Sequence, residues 1–172
     1  MVDVFTPEKR SVVMSRIRAS GNRDTELRLI NLFREARITG WRRNVPVFGR
    51  PDFVFPRHRV AVFVDGCFWH RHDGCKFSYT PKSRSEFWLP KFQRNIDRDR
   101  LVTRTLRSAG WRVLRIWECD LTPKRRARVL QRVRRALAEV PSDSRSQHFP
   151  KPMMIKAAPS VHGESASHRT AA

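Results

Sequence analysis

The chain has 172 residues, with 36 Lys plus Arg against 16 Asp plus Glu and a formal charge of +20. Hydrophobic residues make up 40%, including 11 Phe and 5 Trp, enough apolar material for a single buried core, which argues against a wholly disordered basic protein. No run approaches the roughly 18 apolar residues of a membrane span and no signal pattern opens the chain, so a soluble cytoplasmic protein is expected.

So large a positive excess points to a polyanion, because neutralising phosphates releases condensed counterions whatever the base sequence. The first 140 residues hold 32 basic and 14 acidic side chains and the last 32 only 4 and 2, so the charge belongs to the folded part. Of the basic residues 29 are Arg, whose planar fork suits phosphate and guanine edges. A monomer is expected, since no coiled-coil pattern or large apolar stripe stands out.

In chain order, Thr6, Pro7 and Glu8 predict a cap and first turn that open a short basic helix to about Arg18. Residues 1–20 are expected to form a DNA-contacting arm, 21–140 the main domain and 141–172 a disordered tail rich in Ser, Pro, His and Ala. A second helix is predicted from Asp24 to Arg37, with Leu29, Ile30, Leu32, Phe33 and Ala36 at helical spacing and Glu26 on the same inner side. Strands are predicted over 41–47, 52–55 and 60–64, the last a continuous apolar run of the buried kind. An irregular stretch from Gly66 to Thr80, dense in Cys, His and aromatic residues, precedes a third helix from Ser85 to Ser108. Gly110 ends that helix, 111–117 reads as a strand, and Thr122 and Pro123 predict the cap of a last helix to Val140 with Val129, Val133, Ala136 and Leu137 inward. Helices before and after a cluster of mostly buried strands imply an α/β sandwich with one central sheet.

Cys67, His72 and Cys75 lie within nine residues, and Cys119 follows the last predicted strand. That is one tetrahedral set of soft ligands, for which Zn²⁺ in a closed structural site is the natural occupant. A disulfide competes, although three cysteines cannot all pair. His70 is an alternative fourth ligand that spacing does not separate from His72.

The acids are few, so their positions carry weight. Asp52 opens one strand and Asp65 closes the next, and two strand-end acids can meet. On the third helix Phe92, Ile96, Asp99, Thr103 and Leu106 fall in one narrow stripe, while Asp97 and Arg98 point away. An acid inside an apolar stripe is costly unless it is paired or bound to something charged, and Glu26 repeats the anomaly on the second helix. A salt bridge to one of the arginines is the plainer account of any single acid. Taken together with Asp52, they suit a phosphate-hydrolysing divalent-metal site, since a hard cation such as Mg²⁺ takes oxygen ligands and can serve both the attacking water and the leaving oxygen. His70, titrating near neutrality in its unperturbed form, is the candidate for moving a proton.

Gly49-Arg50-Pro51-Asp52-Phe53-Val54, Val62-Phe63-Val64-Asp65-Gly66-Cys67-Phe68-Trp69-His70, Glu86-Phe87-Trp88 with Lys91 and Asn95, and Gly110-Trp111-Arg112-Val113-Leu114 with Trp117-Glu118-Cys119 resemble the very short patch mismatch repair endonucleases. The match runs in order from about Thr6 to Val140. It implies a restriction-endonuclease-like three-layer sandwich with a central mixed sheet and a structural zinc. The implied activity is Mg²⁺-dependent nicking of double-stranded DNA on the 5′ side of a thymine mispaired with guanine, which initiates repair of deaminated 5-methylcytosine. A bacterial, nucleoid-associated location and mismatch-repair proteins as partners go with it. The resemblance makes Asp52 the metal-binding carboxylate, the Val64 main-chain carbonyl a second ligand, His70 the proton-transfer group, Asp99 a second catalytic acid and Glu26 a helix acid near the metal. It assigns zinc to Cys67, His72, Cys75 and Cys119. Some members carry threonine and histidine where this chain has Val64 and Asp65, which makes Asp65 a direct or water-mediated metal ligand. The lysine usual in nucleases two residues after the second acid is absent, the position being Cys67.

Phe68, Trp69 and Trp88 resemble the family's wedge into the base stack, and Lys91, Asn95 and Met14 its other DNA contacts. Planar side chains can replace base stacking at roughly 1–3 kcal/mol per contact, so a weakened mismatched step is the easier one to open. Packing in a core is the plainer account of an aromatic residue, but adjacent Phe68 and Trp69 do not both point easily into one core. Two other functions stay open on the sequence alone: a restriction-like nuclease on matched DNA, and a non-catalytic zinc-stabilised DNA-binding protein whose acids only balance arginines.

Overall fold

The computed structural model describes residues 25–82 and 84–139, so the expectations for the N-terminal helix and arm, Met14 and the tail from 141 fall outside the described residues. The described chain forms helix α1 (Glu26–Glu35), strands β1 (Phe53–Phe55) and β2 (Val60–Asp65), helix α2 (Ser85–Ser108), strand β3 (Arg112–Trp117) and helix α3 (Arg126–Ala138). Short 3₁₀ turns occupy Pro56–His58 and Glu118–Leu121.

The three strands make one mixed sheet in the order β1-β2-β3. β1 runs antiparallel to β2, with Phe53 opposite Val62, and β2 runs parallel to β3, with Phe63 opposite Arg115 and Asp65 opposite Trp117. A tight link suffices for the antiparallel pair, and Arg59 closes it in the left-handed region at φ 48°. The parallel pair requires a crossover, which α2 supplies.

β2 is apolar on both faces because both are covered. Val60 and Val62 pack with Phe53, Phe55 and Ile116 against Leu29 and Phe33 of α1 and Val129 and Val133 of α3. Ala61 and Phe63 pack on the other side with Val102 and Leu106 of α2. Phe33 meets Phe53 and Phe55 edge-on at 5.5 and 5.8 Å, a favoured arrangement for aromatic quadrupoles.

α2 ends where Gly110, at φ 76°, turns the chain: its N–H donates to the Arg107 carbonyl at 2.9 Å and the Trp111 N–H to that of Leu106 at 2.9 Å. This Schellman geometry satisfies the last carbonyls and aims the chain into β3. Gly49 is demanded by space as well as by its φ of 76°, since a Cβ there would lie 2.3 Å from Val102 Cγ1.

Two local expectations are corrected. The strand predicted over 41–47 is only a bridge between Arg42 and Val54. Asn44 turns the chain with φ 54°, Val47 donates back to the Val45 carbonyl, and Pro46 offers no N–H to a ladder. The last helix begins at Arg126, because the Thr122 hydroxyl donates to the Cys119 carbonyl at 3.2 Å and does not cap the helix.

Candidate active site and metal centre

The register of the sheet gathers the acids at one end. Asp52 precedes β1, and antiparallel pairing carries it against the end of β2, where its Oδ2 accepts the Val64 N–H at 2.7 Å. Asp65 closes β2 and is 4% exposed, as is Glu26 in the first turn of α1, which is paired with Arg43. Burial pushes the Asp52 carboxyl up from 3.8 to about 6; the Val64 N–H opposes this, while the like charges of Glu26 and Asp65 add to it. Burial likewise raises Asp65, although His70 and Arg115 pull it down. Asp65 and Glu26 are each paired with an arginine, Arg115 and Arg43, while the raised Asp52 carboxyl is the one whose anion its acidic neighbours penalise.

Beside them lies a histidine network. His70 Nδ1 is 2.6 Å from Asp99 Oδ2 and 3.7 Å from Asp65 Oδ1. Burial alone would raise Asp99, but the hydrogen bond and charge of His70, with Arg115, outweigh it and hold its carboxyl below the ordinary range. An ionised Asp99 can only accept, so His70 donates from Nδ1, which leaves Nε2 as the ring nitrogen not engaged by Asp99. His70 and Asp99 open onto a cavity of about 560 Å³, whose wall also carries Arg100, Arg104 and Arg107.

The soft ligands form a separate cluster. The ligand atoms of Cys67, His72, Cys75 and Cys119 all lie within 4.8 Å of one another. His72 Nδ1 is 3.6 Å from Cys67 Sγ and 3.3 Å from Cys119 Sγ, and its ring stacks on Trp117 at 4.1 Å and 10°. All three cysteines are free, so the set is available to a cation. Burial pushes the Cys67 thiol up to about 12 and raises Cys119 as well, a cost that a coordinated cation would reverse by taking the thiolates. Of the two histidines that spacing left undivided, His72 is the one among the sulfurs, while His70 faces the acids.

Around the loop after β2, Phe68 lies 5.1–5.5 Å from the rings of Trp69, Tyr79, Trp88 and Phe92. α2 brings Trp88 and Phe92 against this pair, and Phe68, Trp69 and Trp88 stay half-buried in an aromatic cluster outside the two hydrophobic cores. Lys91 sits over Trp69 at 5.0 Å, and the Asn95 amide donates to the Trp69 carbonyl at 3.0 Å, so both side chains hold the loop. Tyr79 and Phe87 extend this surface and are 64% and 49% exposed.

Two functional neighbours escape the sequence reading. Arg43 pairs with Glu26, and Arg115 joins Asp65 to Asp99. The signal for Arg115 is present, a charged residue between Leu114 and Ile116 inside the strand that Arg112 opens.

A mixed α/β sheet that presents carboxylates and a histidine at one end, beside a Cys/His cluster and a basic aromatic surface, defines a nuclease-like protein. The family profile described as DNA mismatch endonuclease Vsr matches residues 2–76. The DNA mismatch endonuclease Vsr of Escherichia coli is 42% identical over 123 residues, covering 70% of this chain and 76% of its own. Type II nicking enzymes of Xanthomonas oryzae pv. oryzae and Neisseria meningitidis serogroup C are 38% and 37% identical, covering 71% and 80% of this chain and 88% and 92% of theirs. The chain belongs to the Vsr DNA mismatch endonuclease family, and its class is DNA endonuclease.

Proposed function

We propose that the protein nicks one strand of double-stranded DNA on the 5′ side of the thymine in a T:G mismatch, with Mg²⁺, and so initiates very short patch repair of deaminated 5-methylcytosine. The observation that carries this reading is the juxtaposition of Asp52, Asp65 and the His70–Asp99 pair with the Phe68–Trp69–Trp88 surface, all reached from the end of β2. Helices packed on both faces of the sheet support a restriction-endonuclease-like three-layer sandwich. The first 20 residues, with Met14, would act as a DNA-contacting arm on the 21–140 domain. Among the described residues no helix is long and apolar enough to cross a membrane, in keeping with a cytoplasmic monomer acting on DNA.

Asp52 and the Val64 main-chain carbonyl would hold Mg²⁺, with Glu26 nearby as further negative charge. Bound there, the cation would supply charge neutralisation at the attacking and leaving oxygens. His70 Nε2 takes or returns the proton while Asp99 fixes the ring through Nδ1. Arg100, Arg104 and Arg107 on the adjoining cavity wall would grip the DNA backbone. Trp69 and Trp88 would stack in the opened step, and Lys91 and Asn95 would address base edges from the same helical face. Zn²⁺ at Cys67, His72, Cys75 and Cys119 would fasten the loop that carries His70.

The decisive experiment compares a T:G duplex with the fully paired duplex of the same sequence in Mg²⁺. Selective nicking of the mismatch, lost in Asp52→Ala while duplex binding persists, is the expected result. Equal cleavage of both duplexes would instead indicate a restriction-like nuclease, and binding with no nick at any enzyme concentration a non-catalytic DNA-binding protein.

A further inference from the structure

We infer that Arg115 and Asp65 form a partly buried positioning pair that locks Asp99 and His70 in place, so that Asp65 serves the histidine and is not a metal ligand. The inference rests on the nuclease reading above and deepens it.

Arg115 stands at the middle of β3 opposite Phe63, and the parallel register therefore puts it on the same sheet face as Asp65. Its Nη1 donates to Asp65 Oδ2 at 2.7 Å. Its Nη2 lies 3.2 Å from Asp99 Oδ1 and donates to the Asp99 carbonyl at 3.3 Å. Nε lies 3.4 Å from the Thr103 hydroxyl, and the guanidinium covers the Phe63 ring at 5.0 Å. The two carboxylates are used in the same way. Asp65 gives Oδ2 to Arg115 and turns Oδ1 toward His70 Nδ1 at 3.7 Å, while Asp99 gives Oδ1 to Arg115 and Oδ2 to His70 at 2.6 Å.

One planar fork thus spaces two acids around one imidazole nitrogen, a task that needs guanidinium geometry and not merely a positive charge. The Asp65 side chain is 5% exposed and that of Arg115 20%, so water cannot cheaply replace Arg115 as the partner of Asp65. A cation at Asp65 would have to displace either Arg115 or the approach to His70. Arg115 acts in this inference through Asp65, Asp99 and His70, which makes it a positioning residue.

The test uses the zinc-loaded full chain on a T:G duplex, with Arg115→Met, Arg115→Lys, Asp65→Asn and the Arg115→Met/Asp65→Asn double variant. Arg115→Met should lower kcat by roughly 100-fold through misplacement of His70, with KM for the duplex and the Mg²⁺ concentration for half-maximal nicking nearly unchanged. Arg115→Lys should recover only part of the loss. Asp65→Asn should lower kcat without raising the Mg²⁺ requirement, and the double variant should be no slower than Arg115→Met alone, as expected of a coupled pair. A Mg²⁺ requirement raised by about tenfold or more in Asp65→Asn would make Asp65 a ligand and overturn the inference, that factor being about 1.4 kcal/mol of lost binding. Wild-type kcat in Arg115→Met would overturn it too. Duplex affinity and thermal midpoint separate misfolding from mispositioning; if Arg115→Met does not fold, Arg115→Lys and Asp65→Asn carry the same two criteria. Failure of the wild-type chain to nick any duplex would overturn the nuclease reading itself, a distinct outcome.

Discussion

Replacing Asp52 by Asn should abolish nicking and, in Mg²⁺-free buffer, make the protein more stable. Asp52 titrates at about 6 in the folded chain against 3.8 for the free side chain, because burial and the like charges of Glu26 and Asp65 penalise its anion. Between those two values the folded protein keeps a proton that the unfolded chain has released, so stability falls as pH rises through this window. The contribution of the proton is complete below the lower value and gone above the upper one. The rise from 3.8 to about 6, at about 1.4 kcal/mol per tenfold change in proton affinity, places the ionised wild type up to about 3 kcal/mol below its protonated form. Asn carries no charge and keeps an oxygen for the Val64 N–H, so the variant escapes the penalty. Urea unfolding of both proteins with zinc present should show a gap that is small near pH 4 and widens to its full value above about pH 6, or about 2–4 °C in Tm per kcal/mol. Added Mg²⁺ should narrow the gap by binding native wild type. A variant no more stable than wild type near pH 8, or a gap independent of pH, would refute the electrostatic account of this site.

Cys75→Ala should lose the zinc bound per chain and lower Tm, since a structural metal site contributes its binding energy to folding; undiminished zinc in metal analysis would remove Cys75 from the cluster. Gly49→Ala should cost about 1–3 kcal/mol from overpacking against Val102, beyond its backbone strain. Gly40→Ala, also at positive φ but with nothing within 4 Å, should cost only roughly 1 kcal/mol, and equal Tm losses would refute the clash. Trp88→Ala should weaken binding of the T:G duplex by about 1–3 kcal/mol and of the paired duplex by less. An equal loss on both duplexes in a titration would mean that Trp88 does not read the mismatch.

Patterns of local origin were legible in the chain. The apolar run of β2, the stripe of α1 and the Gly110 stop of α2 follow from side-chain period and backbone sterics over a few neighbours, and the structure reproduces them. The segment from Trp41 to Val47 was not, because its hydrophobic content resembles a strand while Asn44 and Pro46 deny it a ladder. The soft-ligand group was visible from type and spacing, but the choice of histidine was not. Successive turns in the loop after β2 hand His70 to the acids and His72 to the sulfurs, a division of two residues that composition does not encode.

The charge of +20, the scarce acids and the Cys and His spacing determined by themselves that a basic α/β protein should carry a soft ligand set and a separate carboxylate set. Only the tertiary structure decided which groups neutralise which. Asp65 and Arg115 are 50 residues apart in the chain, and a parallel strand register beneath a 24-residue helix makes them neighbours. Electrostatic partnership depends on distance and burial, and neither exists until the sheet has formed.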